Sequence, residues 1–209
     1  MHDGRDHQAN AANEHMQASD FATLVARFED PARDAWQKPD ALIATLAIEG
    51  KVVADLGAGT GYFAVRLADK AKQVIATDVD ERFLAYLRGR ASMLPAALRE
   101  KLVFRRVGTE RPGLVPEEAD VVLVVNVYHH VDERLDWLRA LVAGMKPGGE
   151  LVIVDYKAGE LEDAPPAELR VASAKVIEEL TAAGFQLVSV DDALLPRQYV
   201  VRARTPLAP

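Results

Sequence analysis

The spacing of apolar positions changes several times along the chain. Phe21, Leu24, Val25 and Phe28 recur at helical spacing and predict a short helix from residue 20. A polar connector with two prolines, "DPARDAWQKPD", follows. Asp40 stands where an N-cap belongs, ahead of Leu42, Ile43 and Leu46, and Gly50 ends that second helix. The pattern then alternates between short runs that are apolar throughout and longer stretches with one apolar face. "KVVADLG", "QVIATD", "KLVFRRV", "ADVVLVVNV" and "GGELVIVDY" read as buried strands. Between them, Thr60 to Lys70 reads as a helix, and so does Asp80 to Arg90, with Phe83, Leu84 and Leu87 on one face. Asp132 is placed to cap a helix carrying Leu135, Leu138, Leu141 and Val142. Ala167 to Ala183 reads as a last helix, with Leu169, Val176, Ile177 and Leu180 inward and Gly184 closing it. "FQLVSVD" and "QYVVRAR" are two final strands.

Strands that are apolar on both faces and separated by amphipathic helices belong to a mostly parallel sheet covered on both sides. "DALLPR" leaves no room for a helix between the last two strands, so these pair antiparallel. The expectation is an α/β fold, a three-layer Rossmann-like sandwich of seven strands, six parallel and one reversed. Residues 1–18 are polar and read as a loose tail. Residues 19–50 read as an N-terminal helical lid or cap segment, and residues 51–209 as the α/β domain itself. Trp36 and Gln37 lie in the cap segment, either over a site or as a buried anchor.

The chain has 209 residues, enough for one such domain. A net charge of −7 disfavours a nucleic-acid surface, where a basic stripe would be expected. With no cysteine, disulfides, thiolate metal sites and cysteine nucleophiles are all excluded. His2, His7 and His15 fit no ligand spacing, so no metal site is expected. No signal-like segment opens the chain and no apolar run reaches about 18 residues, so the expectation is a cytoplasmic protein without a membrane span.

The candidate chemistry starts at "VVADLGAGTGYF". Gly57, Gly59 and Gly61 follow the first strand, where a doubly wound sheet binds ligands. Asp78 ends the second strand about 20 residues on, in the place of an acid that accepts from two ribose hydroxyls. Tyr62 stands where the dinucleotide fingerprint G-x-G-x-x-G has its third glycine, which speaks against an NAD(P)-dependent oxidoreductase.

"VVADLGAGTGYFAVRLA", "VIATDVD", "NVYHHVDE" and "MKPGGELVIVDY" resemble, in order and spacing, the motifs of the class I S-adenosylmethionine-dependent methyltransferases. The likeness runs from about residue 39 to the C-terminus, and "LLPRQYVVRA" resembles the closing hairpin of a small-molecule subgroup. It implies the strand order 3-2-1-4-5-7-6 and S-adenosyl-L-methionine as cofactor. It also implies that Gly57, Ala58, Gly59 and Gly61 pass under the cofactor's amino acid part, with Asp55 near its ammonium. Asp78 would hold the ribose and Val79 would pack on the adenine. Asn126 would lie beside the transferred methyl. Many members carry an acid after the third strand to meet the adenine amino group. Here Thr109 takes that place, with Glu110 next.

Methyl transfer from a sulfonium needs alignment and exclusion of water more than a large catalytic constellation. A nitrogen or oxygen nucleophile still has a proton to lose. His129 is the candidate base, with Tyr128 beside it to orient the acceptor or meet the sulfonium. His130 reads as a structural residue at the start of the following helix. Asp155, Tyr156 and Lys157 end the fifth strand on the same sheet edge. The expected function is methyl transfer to an N or O atom of a small-molecule acceptor. A module that holds the cofactor without turnover stays open.

Overall fold

The computed structural model describes residues 13, 16, 18–161 and 164–208. The tail expected over residues 1–18, with His2, His7 and His15, therefore lies mostly outside the described residues. Asn13, Met16 and Ala18 are described, and each is helical.

Seven strands form one sheet: β1 Val52–Leu56, β2 Gln73–Asp78, β3 Leu102–Arg106, β4 Ala119–Val125, β5 Met145–Tyr156, β6 Gln186–Asp191 and β7 Gln198–Arg204. Their order is β3-β2-β1-β4-β5-β7-β6, as expected. Pairing is parallel from β3 through β5, and β7 is antiparallel to both of its neighbours. The alternation of side chains sorts the central strands into two cores. Val53, Val121 and Val152 face one layer with Leu42, Phe63, Leu67 and Leu87. Ala54, Val122 and Ile153 face the other, with Trp137, Leu138, Leu141, Val176 and Leu180. Each such buried leucine contributes roughly 1.5–3 kcal/mol of transfer free energy, so both layers hold the sheet.

The helices are α1 Phe21–Phe28, α2 Arg33–Gln37, α3 Pro39–Ala44, α4 Ala64–Leu67, α5 Glu81–Ser92, α6 Ala96–Arg99, α7 Arg134–Gly144 and α8 Ser173–Ala183. Asp20 caps α1 by accepting from the Thr23 N–H at 2.9 Å, and Asp80 caps α5 through Arg82 at 2.9 Å. Four expected boundaries are corrected. Asp40 does not cap α3, because Pro39 already occupies the first helical position, with Lys38 in the left-handed region at φ 43°. The helix expected over Thr60–Lys70 is α-helical only at Ala64–Leu67, since the glycine loop runs on into it as turns. Asp132 does not cap α7, which starts at Arg134 after Glu133 with no side-chain cap. The helix expected over Ala167–Ala183 is a 3-10 turn at Ala167–Leu169, then extended chain, then α8.

The polar connector contains α2, which the sequence pattern did not reveal. Residues 39–50 of the expected cap pack inward, with Leu42, Ile43, Leu46 and Ile48 all buried in the sheet's helical layer. What lies across the sheet edge is α1 and α2. Phe21 and Phe28 of α1 meet Phe83 of α5 at ring-centroid distances of 5.1 and 5.4 Å. Among the described residues, no helix is long and apolar enough to cross a membrane.

Candidate active site

The site lies at the carboxyl ends of β1, β2, β4 and β5. Gly57 has φ 69°, and a Cβ there would lie 2.4 Å from a Val127 methyl, so the backbone passes where no side chain fits. Two N–H groups tie the loop to the end of β2: Ala58 donates to the Thr77 carbonyl and Gly59 to Asp78 Oδ2, both at 2.8 Å. Asp78 Oδ1 accepts from the Asp80 N–H at 2.9 Å. Burial pushes the Asp78 carboxyl up to about 6, against the pull of those N–H donors. Gly61 is absent from the cavity wall expected for it. Its φ is 84°, and a Cβ would sit 2.1 Å from Leu87 Cδ1, so it seats the loop on α5.

Asp55 lies one layer beneath the loop, 3% exposed. Burial pushes its carboxyl up to about 7, opposed by the Ala64 N–H and then the Arg33 guanidinium. Arg33 stands on α2 with its guanidinium 3.8 Å from the centre of the Tyr62 ring, and it donates to the Phe28 carbonyl at 3.1 Å. The Tyr62 hydroxyl donates to Asp34, so Tyr62 serves as a floor for Arg33. Among the described residues, three buried side-chain polar atoms lack a partner: Asp55 Oδ2, Arg33 Nε and Thr60 Oγ1. Native proteins leave few such atoms, and here they surround one loop. A carboxylate acceptor, a guanidinium N–H donor and a hydroxyl together suit a ligand that carries both charges.

The loop opens into a cavity of about 1160 Å³. That exceeds the usual range for one drug-sized ligand, roughly 300–1,000 Å³. Asp78, Val79 and Thr109 line one end, then Gly57, Ala58, Gly59 and Thr60. Asn126, Trp36, His129, His130, Tyr156 and Arg197 continue the wall. Val79 is 46% exposed, available to a flat ligand. Asn126 has φ 57°, unusual for a residue with a side chain. Its amide closes a triangle with two fully buried glutamines. Gln198 donates to Asn126, Gln37 donates to Gln198 at 2.6 Å, and Asn126 donates to Gln37 at 3.4 Å. The triangle locks α2 to the ends of β4 and β7.

His129 is buried, and its Nδ1 lies 2.9 and 3.0 Å from the two oxygens of Asp155. Asp155 is fully buried and also accepts from the backbone N–H groups of His129 and Tyr156. A carboxylate on Nδ1 holds the proton there and orients the ring. His129 also borders a smaller cavity of about 300 Å³ beside Arg134 and Arg170. His130 pairs through Nδ1 with Asn13 at 3.1 Å. Its imidazole is pushed down to about 3 by burial and by neighbouring His129.

Tyr128 is corrected. It turns away from the cavity, fully buried, against Trp137, with its hydroxyl donating to Glu179 at 2.7 Å. Lys157 is likewise drawn off, to the carbonyls of Asp192 and Leu195. Arg33 and Gln198 were not singled out from sequence, and Gln37 was read only with Trp36 as part of the cap segment. Arg33, Trp36 and Gln37 follow the i, i+3, i+4 spacing of one helical face, a signal too short to read between Pro31 and Pro39.

Comparison with known proteins decides the family. The family model described as "Methyltransferase domain" matches residues 54–151. A ubiquinone biosynthesis O-methyltransferase of Xanthomonas campestris pv. campestris is 30% identical over 190 residues, 85% of this chain and 74% of the relative. The chain belongs to the class I S-adenosylmethionine-dependent methyltransferase family. A tRNA U34 carboxymethyltransferase of Idiomarina loihiensis is 31% identical over 109 residues, 51% of this chain. The chain spans about a third of the length of the tRNA-modifying relatives it matches. In fold, it resembles a SAM-dependent methyltransferase of Aquifex aeolicus, with TM-score 0.80 and 23% identity, over 90% of this chain and 99% of that one.

The family's cofactor is S-adenosylmethionine, and the residues around the loop fit it. Asp55 Oδ2 suits an ammonium and Arg33 Nε with Thr60 Oγ1 suits a carboxylate, the two charged ends of an amino acid. Asp78 is a buried carboxylate in the cavity wall, of a chemistry that suits vicinal hydroxyls, and the Gly57 turn keeps side chains out of the loop there.

Proposed function

We propose that this methyltransferase transfers a methyl group to a nitrogen or oxygen atom of a small-molecule acceptor, with His129 taking the acceptor's proton. One observation carries the reading. A single cavity runs from the glycine loop and Asp78 to the buried His129–Asp155 pair. When bound, S-adenosylmethionine supplies a methyl group on a sulfonium, a good leaving group. Asp55, Arg33 and Thr60 would hold its amino acid end, with Asp78, Val79 and Thr109 at its adenosyl end. Asp155 is a positioning residue: with the proton kept on Nδ1, a proton taken from the acceptor goes to Nε2. Phe28, Arg33 and Trp36 bring the N-terminal segment over the cavity, and we read that segment as the lid that keeps water out. A covered cavity and a net charge of −7 favour a small acceptor over a nucleic acid. The Xanthomonas relative is named for O-methyl transfer, which supports the N or O reading.

The test is calorimetric titration with S-adenosylmethionine and, separately, with NADH, followed by incubation with a cell-extract metabolite pool. Binding of the first and formation of S-adenosylhomocysteine are expected, with a methylated product found by mass. NADH binding without S-adenosylmethionine binding would overturn the cofactor. Binding with no product across broad pools would reduce the chain to a holding module.

A further inference from the structure

Four tyrosines are buried among the described residues: Tyr62, Tyr128, Tyr156 and Tyr199. Three of them have their hydroxyls tied into the fold. Tyr62 donates to Asp34, Tyr128 to Glu179, and Tyr199 to the Val171 carbonyl at 2.8 Å. The Tyr156 hydroxyl makes no hydrogen bond among the described residues. A buried tyrosine normally finds one. Nor is the oxygen sealed in, because the sealed polar atoms without a partner belong to Asp55, Arg33 and Thr60. It therefore opens on the cavity that Tyr156 lines.

Tyr156 ends β5 in the half of the cavity beyond Asn126. Its ring lies 6.1 Å from the His129 imidazole and 6.4 Å from the Trp36 ring, centre to centre. Burial, and after it the Asp155 carboxylate, push the hydroxyl up, against the pull of Arg33, Arg27 and Arg197. The group keeps its proton and stands as a donor.

Around Tyr156 and His129 the wall is largely apolar, with Trp36, Val131, Pro165, Pro166, Leu169 and Pro196. Its charged groups do not call for an ion. Arg27 is exposed, and Arg197 is already engaged, in part over the Trp36 ring at 5.2 Å. Asp155 sets a carboxylate directly behind His129 and Tyr156, bonded to both. His130 pairs with Asn13. The three sealed atoms that lack partners all surround the glycine loop, at the other end.

We propose that Tyr156 binds the methyl acceptor by donating its hydroxyl to the nucleophilic atom, and that the acceptor is an uncharged, largely apolar phenol or alcohol. This rests on the methyltransferase reading above and narrows nitrogen or oxygen to oxygen. The nucleophile has three partners to satisfy: the Tyr156 donor, the methyl carbon and the base. A hydroxyl oxygen has two lone pairs and a proton, one for each. One lone pair accepts from Tyr156, the other attacks the methyl carbon, and the proton goes to His129. A neutral amine has a single lone pair, so it cannot accept from Tyr156 and attack at once. Transfer forms the oxygen–carbon bond and breaks the sulfur–carbon bond. S-adenosylhomocysteine leaves neutral at sulfur.

The test uses the full chain saturated with S-adenosylhomocysteine. 5-Indanol and 2-indanol, a phenol and an alcohol on one apolar frame, are titrated by calorimetry and tryptophan fluorescence. Indane, indane-5-carboxylate and the 2-aminoindane cation are the comparisons. At least one indanol should bind about fivefold or more tighter than all three. In Tyr156→Phe, which keeps the ring, its preference over indane should fall to within about twofold. Indane and S-adenosylhomocysteine affinities should stay within about twofold in that variant. With S-adenosylmethionine and the metabolite pool, the methylated product should be a methyl ether. The proposal is overturned by no binding of either indanol, by equal or tighter binding of the acid or the cation, or by an unchanged preference in Tyr156→Phe. An N-methylated product would overturn it too, as would tighter, salt-sensitive binding of bulk tRNA than of either indanol. Failure of wild type to bind S-adenosylhomocysteine sinks the cofactor reading itself, a result distinct from all of these.

Discussion

At one end of the cavity, Gly57, Ala58, Gly59, Asp78 and Val79 come from two neighbouring strand ends, β1 and β2. At the other, Arg27, Trp36, His129, Tyr156 and Arg197 are gathered from α1, α2, the turn after β4, β5 and the hairpin before β7. The first end is held by backbone: Ala58 and Gly59 donate across to β2, and Gly57 and Gly61 pass where side chains cannot. The second is held by side chains, through the Gln37–Asn126–Gln198 triangle and the His129–Asp155 pair. A backbone-built end fixes one ligand. A side-chain-built end lets substitution change the acceptor while the fold and the cofactor end persist.

The largest expected effect separates the two ends most cleanly. His129→Ala should lower kcat by about 10²-fold or more while S-adenosylhomocysteine affinity changes by less than about threefold. Asp155→Asn, which keeps a hydrogen-bonding group at the same place, should cost less and shift the pH profile of kcat. Turnover equal to wild type in His129→Ala would remove the imidazole from the reaction. Cofactor affinity falling as steeply as kcat would mean that the two ends are not separate.

Next comes the backbone end itself. Gly61→Ala puts a Cβ 2.1 Å from Leu87 Cδ1 at φ 84°, so strain and overpacking add. The expected loss is about 2–4 kcal/mol of unfolding free energy, read by urea denaturation. Gly50→Ala is the control, since φ is 71° there but nothing lies within 4 Å of a Cβ. It should cost only the backbone term, about 1 kcal/mol. Equal losses at the two positions would show that packing on α5 is not what requires Gly61.

Why one end was legible and the other was not follows from the same contrast. Strand order, the glycine loop and Asp78 lie in continuous stretches, and "VVADLGAGTGYF" and "VIATD" carry them whole. The central strands β1, β2, β4 and β5 are buried on both faces and largely apolar, which made them legible, whereas the edge strand β6 is exposed and was read from its apolar residues and the short connector to β7. Arg33 was hidden because five helical residues between two prolines make barely more than one turn. Tyr128 pointed the wrong way because a 3-10 turn at Tyr128–His130 sends adjacent side chains to different layers. His129 was singled out by residue type, but its partner Asp155, 26 residues on, became visible only when β4 and β5 paired. The Asp40 and Asp132 caps were misplaced because the local rule names a residue type, whereas Pro39 and Glu133 set the actual starts.

Arg33 belongs to both ends, so it offers a sharper cut. It stands on the side-chain-built α2, yet it faces Asp55 and the loop. Arg33→Gln should weaken S-adenosylhomocysteine binding by about ten- to a hundredfold, the value of a charged hydrogen bond in a buried site. Homocysteine-free adenosine, which has no amino acid end, should lose less than about threefold in the same variant. An equal loss for both ligands would place the role of Arg33 in folding α2 and not in holding a carboxylate.

The most gradual effect is a pH dependence, and its sign follows from burial. Asp55 rises from 3.8 to about 7 and Asp78 from 3.8 to about 6. Between pH 4 and those values the folded ligand-free chain binds protons that the unfolded chain has released, so stability from these groups falls as pH rises through that window. A ligand ammonium near Asp55 and ribose hydroxyls on Asp78 favour the ionised forms, so binding in that window must expel protons. Affinity for S-adenosylhomocysteine should therefore be level near pH 8 and fall as pH drops through 7 and 6, by at most about tenfold per unit per group. Asp55→Asn should bind more weakly at pH 8 and lose the part of the slope nearest pH 7, keeping that below it from Asp78. Calorimetry in buffers of different ionisation enthalpy counts the protons directly. A flat affinity from pH 5.5 to 8, with no proton release, would mean that the buried carboxylates beneath the loop do not feel the ligand, and the backbone alone would then account for the cofactor end.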